Sequence, residues 1–303
     1  MTNKTKKEIL VKGREIVSIN GEIYDLKDGK ISVLDHCFLY GDGIFEGIRF
    51  NNGKVLFHRE HMQRLYTSAE VIRLPMISEQ EYESLLFNAI KASNLSSGYL
   101  RVIVTRGIGA LDINPQKCTN SKLVIIVANL KLYPEEFYEK GLKIIVAKTT
   151  KIPYTSFDCR VKSCNYLNNI MATWEFIDRG ASEAIQTDEK GIVSEATVDN
   201  IFGIKGNTLF TPSTETNCLE GITRTKIMEI ANQQKMNVEQ GCYTPHDFMF
   251  ADEVFLTGTG AGVIPVTQIE HKIIGNGLIG DKTRRLREIY ESNQDEYSTS
   301  IYL

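Results

Sequence analysis

Over the first 130 positions, alternating and clustered apolar residues predict strands and two helices. EIVSI and EIYDL flank Asn20-Gly21, a dipeptide suited to a two-residue hairpin turn. GIFEGIRF and KVLFH form a second such pair around Asn51-Asn52-Gly53. A helix is expected over residues 58–74, with Met62, Leu65, Ala69 and Ile72 on one face. Ser78 followed by Glu81 makes a capping box that opens a second helix, about 78–94. YLRVIVTRG and KLVIIVANL predict sheet strands, and the Gly/Asn/Pro-marked loop GIGALDINPQKCTN between them is long enough to be functional.

The periodicity lapses over LKLYPEEFYEKG (130–141), which carries Pro134, and a domain boundary is placed there. The expected division is a small N-terminal domain (1–130), a linker (131–141) and a larger C-terminal domain (142–303). Beyond it the pattern predicts a strand LKIIVAKTT, helices near 166–179, 224–236 and 281–291, and strands in EAIQTD, NIFGI, TLFTP and EVFLTG. Strands mixed with helices in both halves predict a two-domain α/β (α+β) fold, and at about 150 residues per domain a chain of 303 suggests two domains.

Composition narrows the function. The 35 basic and 38 acidic residues leave a net charge of −3, which gives no footprint for nucleic acid. Six cysteines without a CxxC pair, and FHREH in place of HExxH, predict reduced thiols and no metal site. MTNKTKKE is polar, with no apolar run behind it, and the longest apolar stretch, LVIIVANL, is too short for a bilayer. A cytoplasmic enzyme with no membrane or nucleic-acid partner is expected.

TGTGAG (257–262) resembles a phosphate loop, but Val263 stands where GxGxxG needs glycine. Its backbone N–H groups, and those of Ile222 and Thr223 opening a helix after Gly221, can still hold an anion. Lys162 in CRVKSCNYLNN is ordinarily a solvated charge; the alternative is a desolvated amine able to form an imine. Glu195 in IVSEATVDNIFGI is either an exposed strand-end acid or a carboxylate in a small, apolar setting. An imine lysine, an acid for a pyridine nitrogen and a phosphate cradle are the three fixtures that pyridoxal phosphate requires.

EATVDNIFGIKGNTLFTPSTETNCLEGITR (195–224) resembles the signature of the class IV aminotransferases, with Glu195, Asn200, Phe202, Thr211, Gly221 and Arg224 at the signature positions. These are fold-type-IV pyridoxal-phosphate enzymes. YGDGIFEGIRF, FHREHMQRL, SSGYLRV, VKSCNYLNN, ADEVFLTGTGAG and IPV resemble blocks of the branched-chain members, in the same order along the chain. The resemblance implies a small α/β domain followed by a larger pseudo-barrel domain, with pyridoxal 5'-phosphate between them. It implies that Lys162 is the catalytic, imine-forming lysine, and that Arg59, Ile222, Thr223 and Thr259 bind the phosphate. Glu195 would pair with the pyridine nitrogen and Tyr166 with the phenolic oxygen.

For substrates, the resemblance implies walls formed by Tyr40, Phe45 and Tyr99, with Arg101 reaching the distal carboxylate of glutamate or 2-oxoglutarate. The backbone of Thr259, Gly260 and Ala261, with a tyrosine hydroxyl, would hold the α-carboxylate. A loop at 107–116 that reaches a neighbouring subunit implies a homodimer. The expected reaction is transamination between branched-chain L-amino acids and 2-oxoglutarate. Gly260-Ala261-Gly262 stands where branched-chain enzymes commonly carry Ala-Ala-Glu, so D-amino acids and (R)-amines stay open as substrates. Pyruvate elimination from aminodeoxychorismate and cofactor binding without catalysis are the readings from other classes.

Overall fold

The computed structural model describes residues 13–129 and 133–302. The chain begins with the expected hairpin, β1 (Ile16–Ile19) and β2 (Glu22–Asp25), where Asn20 and Gly21 take φ of 50° and 91°, as the tight turn demands. A short helix α1 (His36–Tyr40) follows; the Asp35 side chain accepts the Cys37 N–H, and Gly41 closes the helix at φ 72°. The second hairpin pairs β3 (Gly43–Asn51) with β4 (Lys54–Leu56). Then come α2 (His58–Val71), α3 (Glu79–Ser93), β5 (Ser97–Thr105) and β6 (Lys122–Ala128). Ser78 Oγ accepts the Glu81 N–H at 3.2 Å, so the predicted cap forms.

The segment expected to be a linker is partly helical. Residues 131–132 lie outside the described residues, and Glu135–Lys140 form α4. Two glutamates in its first turn suit the helix dipole, and Phe137 and Tyr138 pack against the second core. Next are β7 (Leu142–Val146), α5 (Leu167–Asp178), β8 (Glu183–Thr187), β9 (Val193–Ala196), β10 (Asn200–Lys205) and β11 (Thr208–Pro212). The chain ends with α6 (Ile222–Gln233), β12 (Asn237–Gly241), α7 (Pro245–Met249), β13 (Glu253–Gly258), β14 (Gly262–Ile269), β15 (Lys272–Ile273), α8 (Asp281–Ser292) and β16 (Ser298–Ser300).

The strands form two sheets. The first runs β16-β4-β3-β5-β6-β1-β2, so the last strand of the chain returns to the N-terminal sheet. The second runs β12-β11-β10-β13-β14-β7-β8-β9, with β15 on β14. Its terminal strand β9 is joined to β10, near the opposite edge, by only residues 197–199. That short link brings β9 back against β10 and β11, so the sheet curls into the barrel-like form expected for the larger unit. Helices α2 and α3 cover the first sheet, and Leu65, Ala69, Leu86 and Ile90 pack on Ile44, Ile48, Leu100 and Val102. In the second unit, Phe202 and Phe255 stack at 5.1 Å beneath Ile227, Ile230 and Tyr290.

A seam joins the two units. Phe45 N–H on β3 donates to the Lys162 carbonyl at 2.9 Å, and Cys164 N–H donates to the Gly43 carbonyl at 2.9 Å. Residues 162–164 therefore pair with the start of β3, which brings the lysine to the first sheet.

His58 sits fully enclosed beside Tyr82 and Phe87, and neither ring nitrogen has a hydrogen-bond partner. Burial lowers its pKa from the ordinary 6.5. The folded form therefore refuses a proton that the unfolded chain accepts once the pH falls through 6.5. We expect the stability difference between wild type and His58→Leu to be constant above that pH. Below it, the difference should shift in favour of the variant, as read by urea unfolding at both ends of the range.

Candidate active site

Alternation along two neighbouring strands builds one wall of a cleft. In β3 and β5, Gly47 lies opposite Arg101 and Phe45 opposite Ile103, so Phe45, Gly47, Tyr99 and Arg101 share a face. A Cβ on Gly47 would lie 1.7 Å from the Tyr99 hydroxyl, so only glycine leaves room for that ring. The Arg101 guanidinium lies 4.5 Å from the centre of the Phe45 ring. Among the described residues no acceptor pairs with it.

The cleft, about 200 Å³, is completed by Lys162, Tyr166, Glu195, Asp199, Asn200, the start of α6 and the turn Thr257–Gly260. A larger groove of about 610 Å³ lies between α2 and α6 behind Arg64, but Lys162 and Glu195 do not line it. Lys162 Nζ is 3.3 Å from the Tyr166 hydroxyl and 4.7 Å from the Phe45 ring centre. Burial, reinforced by the Arg64 guanidinium, lowers its amine to about 8. Burial also raises the Tyr166 hydroxyl to about 12, which keeps it a proton donor.

Of the two settings open for Glu195, the structure shows the buried one, and with partners. Lys151, 5% exposed, pairs with its Oε1 at 2.6 Å, while Asn200 Nδ2 and the Leu219 N–H hold Oε2 at 3.2 and 3.0 Å. Burial disfavours the Lys151 ammonium, but Glu195 beside it offsets this and holds its pKa above the ordinary value. Lys151 carried no signal in the sequence, because its partner lies 44 residues away.

Besides Arg101, the cleft's second arginine is Arg64. Arg59 is exposed on α2 and lines no part of the cleft, against the expectation that it binds phosphate. Five residues separate the two, which places them about 140° apart around a helix. Glu46, wholly buried on β3, decides which one faces inward. It accepts Arg64 Nε at 2.7 Å, Arg64 Nη2 at 2.8 Å and His61 Nδ1 at 2.8 Å. Burial would raise the Glu46 carboxyl, but Arg64 and His61 outweigh that and hold it far below the usual range. His61 Nε2 then lies 3.4 Å from Thr259 Oγ1.

The start of α6 suits an anion. Its N-cap is Gly221, with no side-chain cap and no acidic residue in the first turn, so the Ile222 and Thr223 amides face the cleft uncapped. A Cβ on Gly221 would come within 2.0 Å of Asn200 Oδ1. Together with Arg64 and Thr259, these amides make a cradle that fits a phosphate.

Three further positions fall outside the cleft. Tyr40 is 40% exposed on α1, edge-on to His36, and does not line the cleft. Ala261 is buried in the second core and its carbonyl accepts the Tyr138 hydroxyl, so of the predicted turn only Thr259 and Gly260 reach the cleft. Arg224 is buried beneath α6, where it donates to the Pro212 carbonyl and to Gln240 Oε1, tying β11 to β12.

With this geometry in view, comparison with known proteins is direct. The amino-transferase class IV family model matches residues 43–269. The branched-chain-amino-acid aminotransferase of Escherichia coli K12 is 31% identical over 92% of this chain and 93% of its own length. A Methanocaldococcus jannaschii protein, provisionally named a branched-chain-amino-acid aminotransferase, is 36% identical over 94% of this chain and 99% of its own. A branched-chain amino acid aminotransferase from T.th., solved with pyridoxamine 5'-phosphate, superposes with a TM-score of 0.90 at 30% identity, covering 96% of this chain and 99% of that one. The chain belongs to the class IV aminotransferase family and is an aminotransferase.

Two outcomes follow from the buried charges. Arg64→Ala strands the Glu46 carboxylate and should cost about 3–5 kcal/mol, whereas Arg59→Ala should stay within about 0.5 kcal/mol, both read by urea unfolding. In the cofactor-free protein, borohydride trapping of pyridoxal phosphate on Lys162 should level off just above pH 8, the range in which its amine becomes neutral.

Proposed function

We propose that this aminotransferase moves the amino group between branched-chain L-amino acids and 2-oxoglutarate, with pyridoxal 5'-phosphate as its cofactor. The observation that carries the reading is the unpaired Arg101 guanidinium, stacked on Phe45 in the cleft that holds Lys162. A cleft-lining arginine without an acid is a receptor for an anion. Beside it, the Phe45 and Tyr99 rings offer an aliphatic side chain an apolar wall. One pocket can then take a branched chain or the distal carboxylate of glutamate. The relative from T.th. has been solved both with N-(5'-phosphopyridoxyl)-L-glutamate and with 4-methylvaleric acid, which supports a pocket of this dual kind.

When bound, the cofactor supplies an electron sink for the substrate's α-carbon. Lys162 would link to it covalently and, once released, move a proton at that carbon. Arg64, the Ile222 and Thr223 amides and the Thr259 hydroxyl would hold the phosphate. Glu195, paired with Lys151, would hold a proton on the ring nitrogen, and Tyr166 would donate to the phenolic oxygen. The substrate α-carboxylate would lie against the Thr259 and Gly260 backbone.

A homodimer completes this reading. Leu167, Ile170, Met171, Trp174 and Ile177 form one apolar stripe along α5, each about half exposed or more. In the loop at 107–116, Leu111 and Ile113 are 76% and 81% exposed, while its base is clamped where Arg106 grips Asp42 and the carbonyls of Ile72 and Arg73. Among the described residues no helix is long and apolar enough to cross a membrane. A cytoplasmic enzyme fits these features.

A donor panel of L-Leu, L-Ile, L-Val, D-Ala and an (R)-amine with 2-oxoglutarate tests the substrate class, and preference for D-Ala or the amine would refute it. Losing a charge-assisted hydrogen bond costs about 1.5–3 kcal/mol, so Arg101→Ala should reduce 2-oxoglutarate use by about one to two decades. The leucine half-reaction, followed by single-turnover absorbance of the bound cofactor, should stay within a few-fold. Equal losses in both would make Arg101 structural.

A further inference from the structure

Two carboxylic acids share one hydroxyl in the wall behind the cleft. Asp199, in the link between β9 and β10, and Glu183, at the start of β8, are 4% and 2% exposed. The Tyr133 hydroxyl lies 2.9 Å from Asp199 Oδ2 and 3.3 Å from Glu183 Oε2. A phenol has one proton and can donate to one of them only. The second contact holds in a dry site only if that acid itself donates to the phenol oxygen. The Glu183 Oε1 atom is already engaged by the Thr197 hydroxyl at 2.6 Å, the Thr197 N–H at 3.2 Å and the Ala184 N–H at 2.7 Å, which leaves Oε2 to carry the proton.

We infer that Glu183, Tyr133 and Asp199 store one proton, and that Asp199 is a specificity-determining residue which takes it up when a substrate carboxylate enters the cleft. The inference rests on the proposed position of the α-carboxylate against Thr259 and Gly260. Asp199 lines the cleft, and its Oδ1 lies 2.0 Å from the place a Cβ on Gly258 would occupy, next to that turn. An ionised Asp199 there would repel an incoming carboxylate. Transfer along the chain removes the conflict. Glu183 Oε2–H passes its proton to the Tyr133 oxygen while the Tyr133 proton moves to Asp199 Oδ2. Asp199 becomes neutral, and the negative charge withdraws to Glu183, where the Thr197 and Ala184 donors hold it. No atom or charge is gained or lost.

The titrating surroundings agree. Burial, with Asp199 close by, raises Glu183 to about 7, and burial raises Asp199 to about 6 against the opposing pull of Tyr133 and Lys162. The other groups that face Asp199 are Glu195 on β9 and Tyr138 on α4.

The test is calorimetric titration of the holoenzyme with 4-methylvaleric acid, against its neutral amide, in buffers of different ionisation enthalpy. Above the break near pH 7 set by Glu183, the carboxylate should bind with uptake of close to one proton. Its affinity should fall about tenfold per pH unit there, the slope of one required proton, while the amide shows neither effect. Asp199→Asn should abolish both the uptake and the slope yet still bind the carboxylate. Glu183→Gln keeps a donor to Tyr133 but has no proton to lend, so it should move the break to lower pH. This second variant decides the matter if the first does not fold. Absence of uptake in the wild type overturns the proposal. So does uptake that persists in Asp199→Asn together with a shift in the cofactor's absorption band, which would place the proton at the lysine link. Equal affinity for acid and amide would instead refute the carboxylate position in the proposed function, and this inference with it.

Discussion

The arrangement depends on a carboxylate that cannot reach water. Glu46 sits on the core-facing side of β3, and an ion at that depth is tolerated only if its oxygens are matched by donors and opposite charge. Arg64 and His61 on α2 supply both, which sets the rotation of that helix against the sheet. The same contacts carry the guanidinium to the edge of the cleft and aim His61 at Thr259, on the far side of the interdomain seam. One buried charge thus orders the anion-binding half of the site.

Strand β3 serves both units. Its even positions, Ile44, Glu46 and Ile48, face the core beneath α2, while its odd positions, Phe45 and Gly47, face the cleft. Its backbone pairs with residues 162–164, so Lys162 is placed by main-chain hydrogen bonds rather than by its own flexible side chain. Desolvation at that junction, with Arg64 nearby, accounts for the depressed amine.

The ions of the cleft divide by partnership. Glu195 is met by Lys151 and Glu46 by Arg64, both with little exposure, so each carboxylate has a partner within the protein. Arg101 is left over, and so is the proton shared by Glu183 and Asp199. Groups left without an internal partner are where a substrate's charge would be recognised. The unpaired guanidinium and Asp199 line the same cleft, where the proposed carboxylate substrates would meet both.

What the sequence determined by itself is the local geometry and the family. Asn20-Gly21, Asn52-Gly53 and the Ser78 cap were legible because each depends on the backbone preferences of a few adjacent residues. The long segment 195–224 disclosed the aminotransferase family, and with it the lysine, the acid and the start of α6 as members of one site. Which arginine joins them was not legible. Arg59 and Arg64 share a helix and a motif, and the choice between them is made by Glu46, 18 residues before Arg64, on another element. Lys151 behind Glu195, the burial of Ala261 and the Tyr133 bridge were decided in the same way. Each depends on burial and on a partner distant along the chain, and the cost of an unmatched charge or an unfilled wall exists only once the sheets have closed around it.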